Sequence, residues 1–271
     1  MRTVLLTGTP VVVSRFVFGT AGLFNSGSEK TRRRLLFSAA DAGFTHFDTA
    51  PYYGFGLAER DLSCVLKQRP DVTVTTKVGL YSPGGEEQSA AADFMRKASG
   101  RLLRAVSRPQ VDFSLSRAQR TFEGSLRRLG RDVIDIYTLH DPDLKLIDTD
   151  EWLRWLESLI HAGKVRTFGL ALTREKAEPF LAAGSQLTRF IQVHDSLDTR
   201  EADILTRYRK PFQITYGYVS ASRRAGSPLP VSEVLRQALE RNADGAIIVS
   251  TTQPSRLSQY ARLVDERTHA S

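Results

Sequence analysis

The chain has 271 residues, 41% hydrophobic and 25% charged, a balance that excludes disorder and suits one large α/β unit or two small ones. Its net charge is +8, yet the basic residues are scattered through helical segments without any zinc-finger, RNA-binding or helix-turn-helix signature, so a solvated basic surface is expected and nucleic-acid binding is not. No apolar run nears the ~20 residues of a membrane span, no signal-peptide core opens the chain, and the single cysteine, Cys64, has no internal partner, so a cytoplasmic protein is expected.

Short β-branched runs alternate with amphipathic segments along the chain. The first strand is expected at Arg15–Ala21, followed by a helix over Glu29–Ala42 that Ser28 caps and Gly43 ends. Strand Thr45–Ala50 precedes helix Leu57–Gln68, in which Cys64 is expected to be a small buried side chain. Strand Val72–Val78 leads into a connection of some 37 residues, Leu80 to Ser116, before helix Arg117–Leu129. Within it, Phe94, Ala98, Leu102 and Val106 recur every four residues, which predicts an extra amphipathic helix over Ala90–Arg108. Its arginines make a solvated face, or a basic lid for an acidic or phosphorylated substrate. Strand and helix then alternate as Val133–His140, Glu151–Ala162, Thr167–Leu172, Arg174–Ala183, Arg189–His194, Arg200–Lys210, Phe212–Tyr216, Val231–Arg241, Ala246–Ser250 and Ser255–Asp265.

Eight strands, each followed by a helix, predict a (β/α)8 TIM barrel. A doubly wound sheet would need a Gly-x-Gly-x-x-Gly turn, and Gly54-Phe55-Gly56 runs on into Leu57-Ala58-Glu59, which lacks the third glycine. One barrel over residues 1–271 is therefore expected, with a long inserted loop and helix at about 80–116.

In such a barrel, chemistry gathers at the C-terminal strand ends. Asp48 ends the second strand, Tyr53 follows in its loop, Lys77 ends the third strand and His140 the fourth. Neighbouring strands lie about 5 Å apart, so the four side chains can converge. Pro51 stops the strand and turns Tyr53 over the mouth. A phenol beside an ammonium group is a proton donor for a carbonyl, because positive charge lowers a pKa that is normally about 10. His46 shares the parity of Asp48 and is expected inside the barrel as a hydrogen-bonded core histidine, whereas His194-Asp195 echoes His140-Asp141 as a candidate pocket lining. The five histidines and one cysteine have no zinc-type spacing, and neither a Gly-x-Ser-x-Gly elbow nor a Walker loop occurs, so no metal site is expected.

Asp48 to Gly54, Thr76-Lys77, Ser125-Leu126-Arg127-Arg128-Leu129-Gly130 and Asp132 to His140 together resemble the aldo-keto reductase family over about Phe18 to Asp265. Pro51-Tyr52-Tyr53-Gly54 and His140-Asp141 are similar to its L-fucose, L-galactose and pyridoxal dehydrogenase branch. The resemblance implies an NAD(P)-dependent oxidoreductase in which Tyr53 gives a proton to a carbonyl, Lys77 paired with Asp48 tunes it, and His140 orients the substrate. It also implies that Gln192 binds the nicotinamide carboxamide and that Tyr216 stacks on the ring. The implied partner is a small carbonyl or sugar substrate, with bulky or anionic ones in range. The alternatives are an aldose or alcohol dehydrogenase working oxidatively and a cofactor-binding, non-catalytic barrel subunit.

Two departures from the family pattern stand out. Where members often place Ser-Asn to hold the carboxamide, this chain has Ala171-Leu172. Where NADP-dependent members carry a lysine and, six residues on, an arginine, it has Ser250 and Arg256. Arg256 can still grip a 2′-phosphate, so NADP is the expected cofactor and NAD the alternative. Only six residues follow Asp265, which implies an open substrate site or one completed by a partner subunit.

Overall fold

The computed structural model describes residues 1–87 and 109–265. The chain opens with an antiparallel hairpin, β1 (Thr3–Leu5) on β2 (Val12–Ser14), which sequence periodicity did not signal because each strand has only three residues. Val11, Val13 and Leu6 of this hairpin pack with Val17, Ile136, Phe190, Ile214 and Ala246, so the N-terminal end of the barrel is filled with side chains. Gln213 fastens the plug by donating from Nε2 to the Thr7 carbonyl at 2.7 Å.

Eight parallel strands follow: β3 (Phe16–Gly19), β4 (His46–Asp48), β5 (Thr73–Val78), β8 (Ile134–His140), β9 (Val165–Leu172), β10 (Ile191–His194), β11 (Ile214–Tyr216) and β12 (Ala246–Val249). They pair in this order, and β12 pairs back onto β3 through Ile247↔Phe16, closing the barrel that the sequence predicts. Between β5 and β8, β6 (Leu80–Tyr81) pairs antiparallel with β7 (Gln110–Val111), bringing the two ends of the long connection together. The helix expected over Ala90–Arg108 lies outside the described residues.

Helices α1 (Glu29–Asp41), α2 (Leu57–Gln68), α3 (Leu115–Leu129), α4 (Thr149–His161), α5 (Arg174–Ala182), α6 (Asp203–Arg207), α7 (Tyr218–Arg224), α8 (Val231–Arg241) and α9 (Ser255–Asp265) lie between and after the strands. Their apolar faces bury a second, larger core against the barrel wall, centred on residues such as Phe44, Phe122, Trp152 and Phe180. Ser28 caps α1 as expected, accepting a hydrogen bond from the Thr31 N–H. Gly130 ends α3 in the left-handed conformation at φ 64°, which a glycine adopts without steric cost.

Two helices and one side chain also differ from expectation. Helix α6 is shorter than Arg200–Lys210, because Arg200 and Arg209 take left-handed backbone angles of φ 48° and 54° that end it on both sides. Helix α7 was not anticipated, since Tyr218–Arg224 is too short to show a period. Cys64 sits in α2 but is only half-buried. Among the described residues, no helix is long and apolar enough to cross a membrane.

Candidate active site

Strand register sets the height of each side chain along the barrel. Gly19 pairs with Asp48 and Asp48 with Thr75, while Lys77 pairs with Thr138, His140 with Ala171, and Ala171 with Gln192. Gly19, Asp48, Lys77, His140, Ala171 and Gln192 thereby open on one cavity of about 450 Å³ at the C-terminal end of the barrel. Asp48, Tyr53, Lys77, His140, Gln192, Tyr216 and Ser250 all line it. Of the catalytic and cofactor-binding candidates, Arg256 alone lies outside it, in an adjoining cavity.

Lys77 is 1% exposed, and an amine so buried needs a partner. Its Nζ donates to Asp48 Oδ1 at 2.6 Å and to the Thr49 carbonyl at 2.9 Å. Burial pushes the lysine down and the aspartic acid up in pKa, and each charge opposes the shift of the other. Lys77 Nζ also lies 4.9 Å from the centre of the Tyr53 ring, within cation–π range. The Tyr53 and His140 rings meet edge to face, 5.8 Å apart at 87°.

The sequence expectation that Lys77 lowers the Tyr53 pKa is not met in the protein alone. Burial, and next the Asp48 carboxylate, push the Tyr53 phenol well above its ordinary value. The Asp48 carboxylate offsets the lysine charge at the phenol, and desolvation outweighs what remains. Tyr53 therefore holds its proton. His140 is pushed the opposite way, well below the ordinary histidine value, by burial and by the charges of Lys77 and Lys176. Its ring is neutral and can donate only one N–H; Nδ1 is buried without a hydrogen-bond partner among the described residues.

The fit to a nicotinamide is tested by Gln192. It lines the cavity together with Asp48, and its Oε1 is buried with no partner among the described residues. An orphaned acceptor in a cavity suits a carboxamide N–H. Tyr216 borders the same space, held by its own hydroxyl, which donates to the Leu172 carbonyl at 3.3 Å. Ala171 supplies no side-chain hydrogen bond, so Gln192 stands alone where family members often add Ser-Asn.

Of the remaining histidines, His46 is as expected and His194 is not. His46 is a core histidine: Nδ1 lies 2.7 Å from Thr73 Oγ1 and Nε2 lies 2.8 Å from Thr75 Oγ1, and burial brings its pKa down to about 3. His194 and Asp195 do not line the catalytic cavity. The His194 ring packs edge-on against Tyr216 at 5.4 Å, with Nδ1 3.3 Å from Glu201. Asp195 is buried and accepts from the Tyr218 hydroxyl at 2.6 Å and from the Arg241 guanidinium. The pair thus braces the loop after β11. In that loop Gly217 has φ 109°, and a Cβ there would meet His194 Nε2 at 2.4 Å, so no other residue fits.

Sequence reasoning missed two features of the site. Glu59, fully buried in α2, accepts from Thr76 Oγ1 at 2.6 Å and from Arg128 Nε at 2.7 Å, and its charge favours the ammonium form of Lys77. The Arg128 position within Ser-Leu-Arg-Arg-Leu-Gly was its only trace in the sequence. Asp141, next to His140, takes φ 54° and reaches the cavity, with Thr173 N–H donating to its carboxylate and Lys176 donating to its carbonyl at 2.6 Å.

Burial of His46 has a consequence for stability. In the unfolded chain its pKa is about 6.5, so below that pH the unfolded state binds a proton that the native state refuses until about pH 3. Stability supplied by the neutral ring is complete above pH 6.5 and is lost as pH falls through this window, at up to about 1.4 kcal/mol per pH unit. Urea unfolding of the wild type and His46→Gln at pH 7, 6, 5 and 4 is expected to show a shallower decline in the variant, by one proton. Equal slopes would contradict the assignment.

The model of the aldo/keto reductase family matches residues 15–178. The chain belongs to this family. It is 30% identical over 219 residues to the aldo-keto reductase YhdN of Bacillus subtilis, covering 78% of this chain and 59% of that one. It is 28% identical over 212 residues to L-galactose dehydrogenase of Arabidopsis thaliana, covering 75% and 54%. The matches thus span little more than half the length of these curated relatives. A solved aldo-keto reductase of Bacillus halodurans, in its holo form, shares the fold with a TM-score of 0.75 at 21% identity, covering 98% of this chain and 91% of that one. The barrel is therefore that of the aldo-keto reductases.

Proposed function

We propose that this aldo-keto reductase is an NAD(P)-dependent enzyme that reduces the carbonyl of an aldehyde, ketone or sugar. The observation that carries the reading is the convergence of Tyr53, the Asp48–Lys77 pair and His140 on one cavity. A bound nicotinamide cofactor supplies the hydride for the carbonyl carbon. Gln192 and Tyr216 would hold its carboxamide and ring. The neutral His140 orients the substrate oxygen by donating its N–H. Tyr53 passes its phenolic proton to that oxygen as negative charge builds there, since an alkoxide is a stronger base than a phenolate. Lys77, anchored by Asp48 and Thr49, lies against the Tyr53 ring and stabilises the phenolate left behind.

Burial holds the Tyr53 proton in place, the form that reduction requires, whereas oxidation starts from the phenolate. Oxidation of a sugar or alcohol uses the same groups in the opposite order and is the second reading. The likeness to L-galactose dehydrogenase favours keeping it. A single cysteine without a disulfide fits a reducing compartment, so we place the protein in the cytoplasm.

The reading is tested by titrating the purified protein with NADPH and, separately, NADH, following quenching of intrinsic fluorescence. Saturable binding in the micromolar range or tighter is expected for at least one. Absence of binding by both would leave a non-catalytic barrel as the better account, with Ala171 the cause.

A further inference from the structure

His140 ends β8 and Asp141 follows it directly, and neighbours along an extended chain point to opposite sides. Both nevertheless line the catalytic cavity. The reversal comes from Asp141 itself, whose left-handed φ of 54° breaks the alternation and brings its side chain to the same space. Residues other than glycine held in this region cluster at functional sites. The conformation is fastened on every side. The Asp141 N–H donates to the Ala171 carbonyl at 2.7 Å, and its own carbonyl accepts from Lys176 Nζ at 2.6 Å. Its Oδ1 accepts from the Thr173 N–H at 3.1 Å and from the Thr173 hydroxyl at 3.4 Å, while Lys176 Nζ lies 3.1 Å from Oδ2. A carboxylate offers about four lone-pair sites, so acceptor capacity remains after these contacts. The side chain is still 33% exposed.

The charges around this cavity cancel. Lys77 is matched by Asp48, and Asp141 by Lys176. No other aspartate, glutamate, lysine or arginine lines the cavity among the described residues. A balanced pair holds neither an ammonium nor a phosphate group strongly; what it presents is an oriented acceptor for a neutral donor. A hydroxyl is such a donor. The Cα atoms of His140 and Asp141 are about 3.8 Å apart, as in any trans peptide, so the two residues serve oxygens on neighbouring carbons. A substrate carbonyl held by the His140 N–H therefore turns the substituent of its adjacent carbon toward Asp141.

Resting on the carbonyl-reductase reading above, we propose that Asp141 is a specificity-determining residue: its carboxylate accepts a hydrogen bond from a hydroxyl on the carbon next to the substrate carbonyl, selecting 2-hydroxyaldehydes over plain aldehydes. Thr173 and Lys176 act through Asp141, as positioning residues that hold the acceptor in place before substrate arrives.

Two matched aldehyde pairs test this on the full chain: propanal against lactaldehyde, and hexanal against 2-hydroxyhexanal, each with the nicotinamide cofactor that the protein binds. Members of a pair differ by one hydroxyl. In the wild type, kcat/KM should favour the hydroxylated member by about ten- to a hundredfold, the range of a hydrogen bond to a charged group. In Asp141→Gly, which suits the left-handed backbone and removes the acceptor, the preference should fall below about threefold. Asp141→Asn keeps a neutral acceptor and tolerates the same backbone angle, so it should give an intermediate preference. In either variant Lys176 keeps the carbonyl of residue 141 as a partner. Because both aldehydes meet the same preparation, any unfolded fraction cancels from the ratio. A wild type without the preference overturns the proposal while the reductase reading stands. Variants that keep the full preference overturn it in the same way. A loss shared equally by both members, partial or complete, makes Asp141 a brace of its loop and also overturns it. If the wild type reduces none of the four aldehydes, the reductase reading itself fails and this inference with it.

Discussion

Tyr53→Phe is expected to lower kcat for carbonyl reduction by about 10²- to 10⁴-fold, the span general acid catalysis typically provides. The substitution removes one oxygen. It leaves the ring that meets His140 edge to face at 5.8 Å and lies 4.9 Å from Lys77 Nζ. Cofactor affinity should therefore change by less than about twofold, since the groups proposed to hold the nicotinamide are Gln192 and Tyr216. Because Tyr53 is held well above its ordinary pKa, the wild-type rate of reduction should stay flat from about pH 6 to 9. The sign follows from its role: an acid works while protonated, and this phenol keeps its proton across that range. Stopped-flow and steady-state measurements with any accepted aldehyde would decide the matter. A Phe variant within a few-fold of wild-type kcat would remove Tyr53 as proton donor, whatever its position.

Arg128→Ala is expected to destabilise the fold by about 3–5 kcal/mol, the usual cost of stranding a buried charge. Arg128 is 8% exposed and Glu59 is completely buried. Loss of the guanidinium leaves Glu59 with the Thr76 hydroxyl, at 2.6 Å, as its one hydrogen-bond partner among the described residues. Replacing both partners, as Glu59→Gln/Arg128→Met, should recover much of that loss, because no uncompensated charge then remains. Urea denaturation of both single variants and the double would measure the coupling. A loss below about 1 kcal/mol in Arg128→Ala would show that the pair contributes no more than an exposed one. The same network bears on the active site, since Thr76 precedes Lys77 in β5 and the Glu59 charge favours the lysine ammonium. Arg128 also reaches Glu87 Oε1 at 2.7 Å, tying the start of the long connection to this buried cluster.

Much of the architecture was readable because it rests on period and punctuation. The barrel strands repeat β-branched residues, the helices carry apolar stripes, and Ser28 and Gly130 mark ends through their own backbone and capping preferences. Features too short to show a period were not readable, and the β1–β2 hairpin, the β6–β7 pair and α7 are of that kind. Asp48, Tyr53, Lys77 and His140 were found because each stands at or just beyond a recognisable strand end, and parallel strands in a barrel bring their ends to one rim.

By itself, the sequence determined the barrel, its family and which four groups meet at its mouth, since local pattern and the chain order of strands suffice for that. It could not determine their protonation. The expected lowering of the Tyr53 pKa by Lys77 was reversed because desolvation and the Asp48 carboxylate act through space and depend on burial that only the packed barrel creates. Nor could it bring Asp141 to the same cavity as His140. Alternation along the chain points the two apart, and only the left-handed backbone of Asp141, held by Thr173 and Lys176 across the next strand, turns it inward.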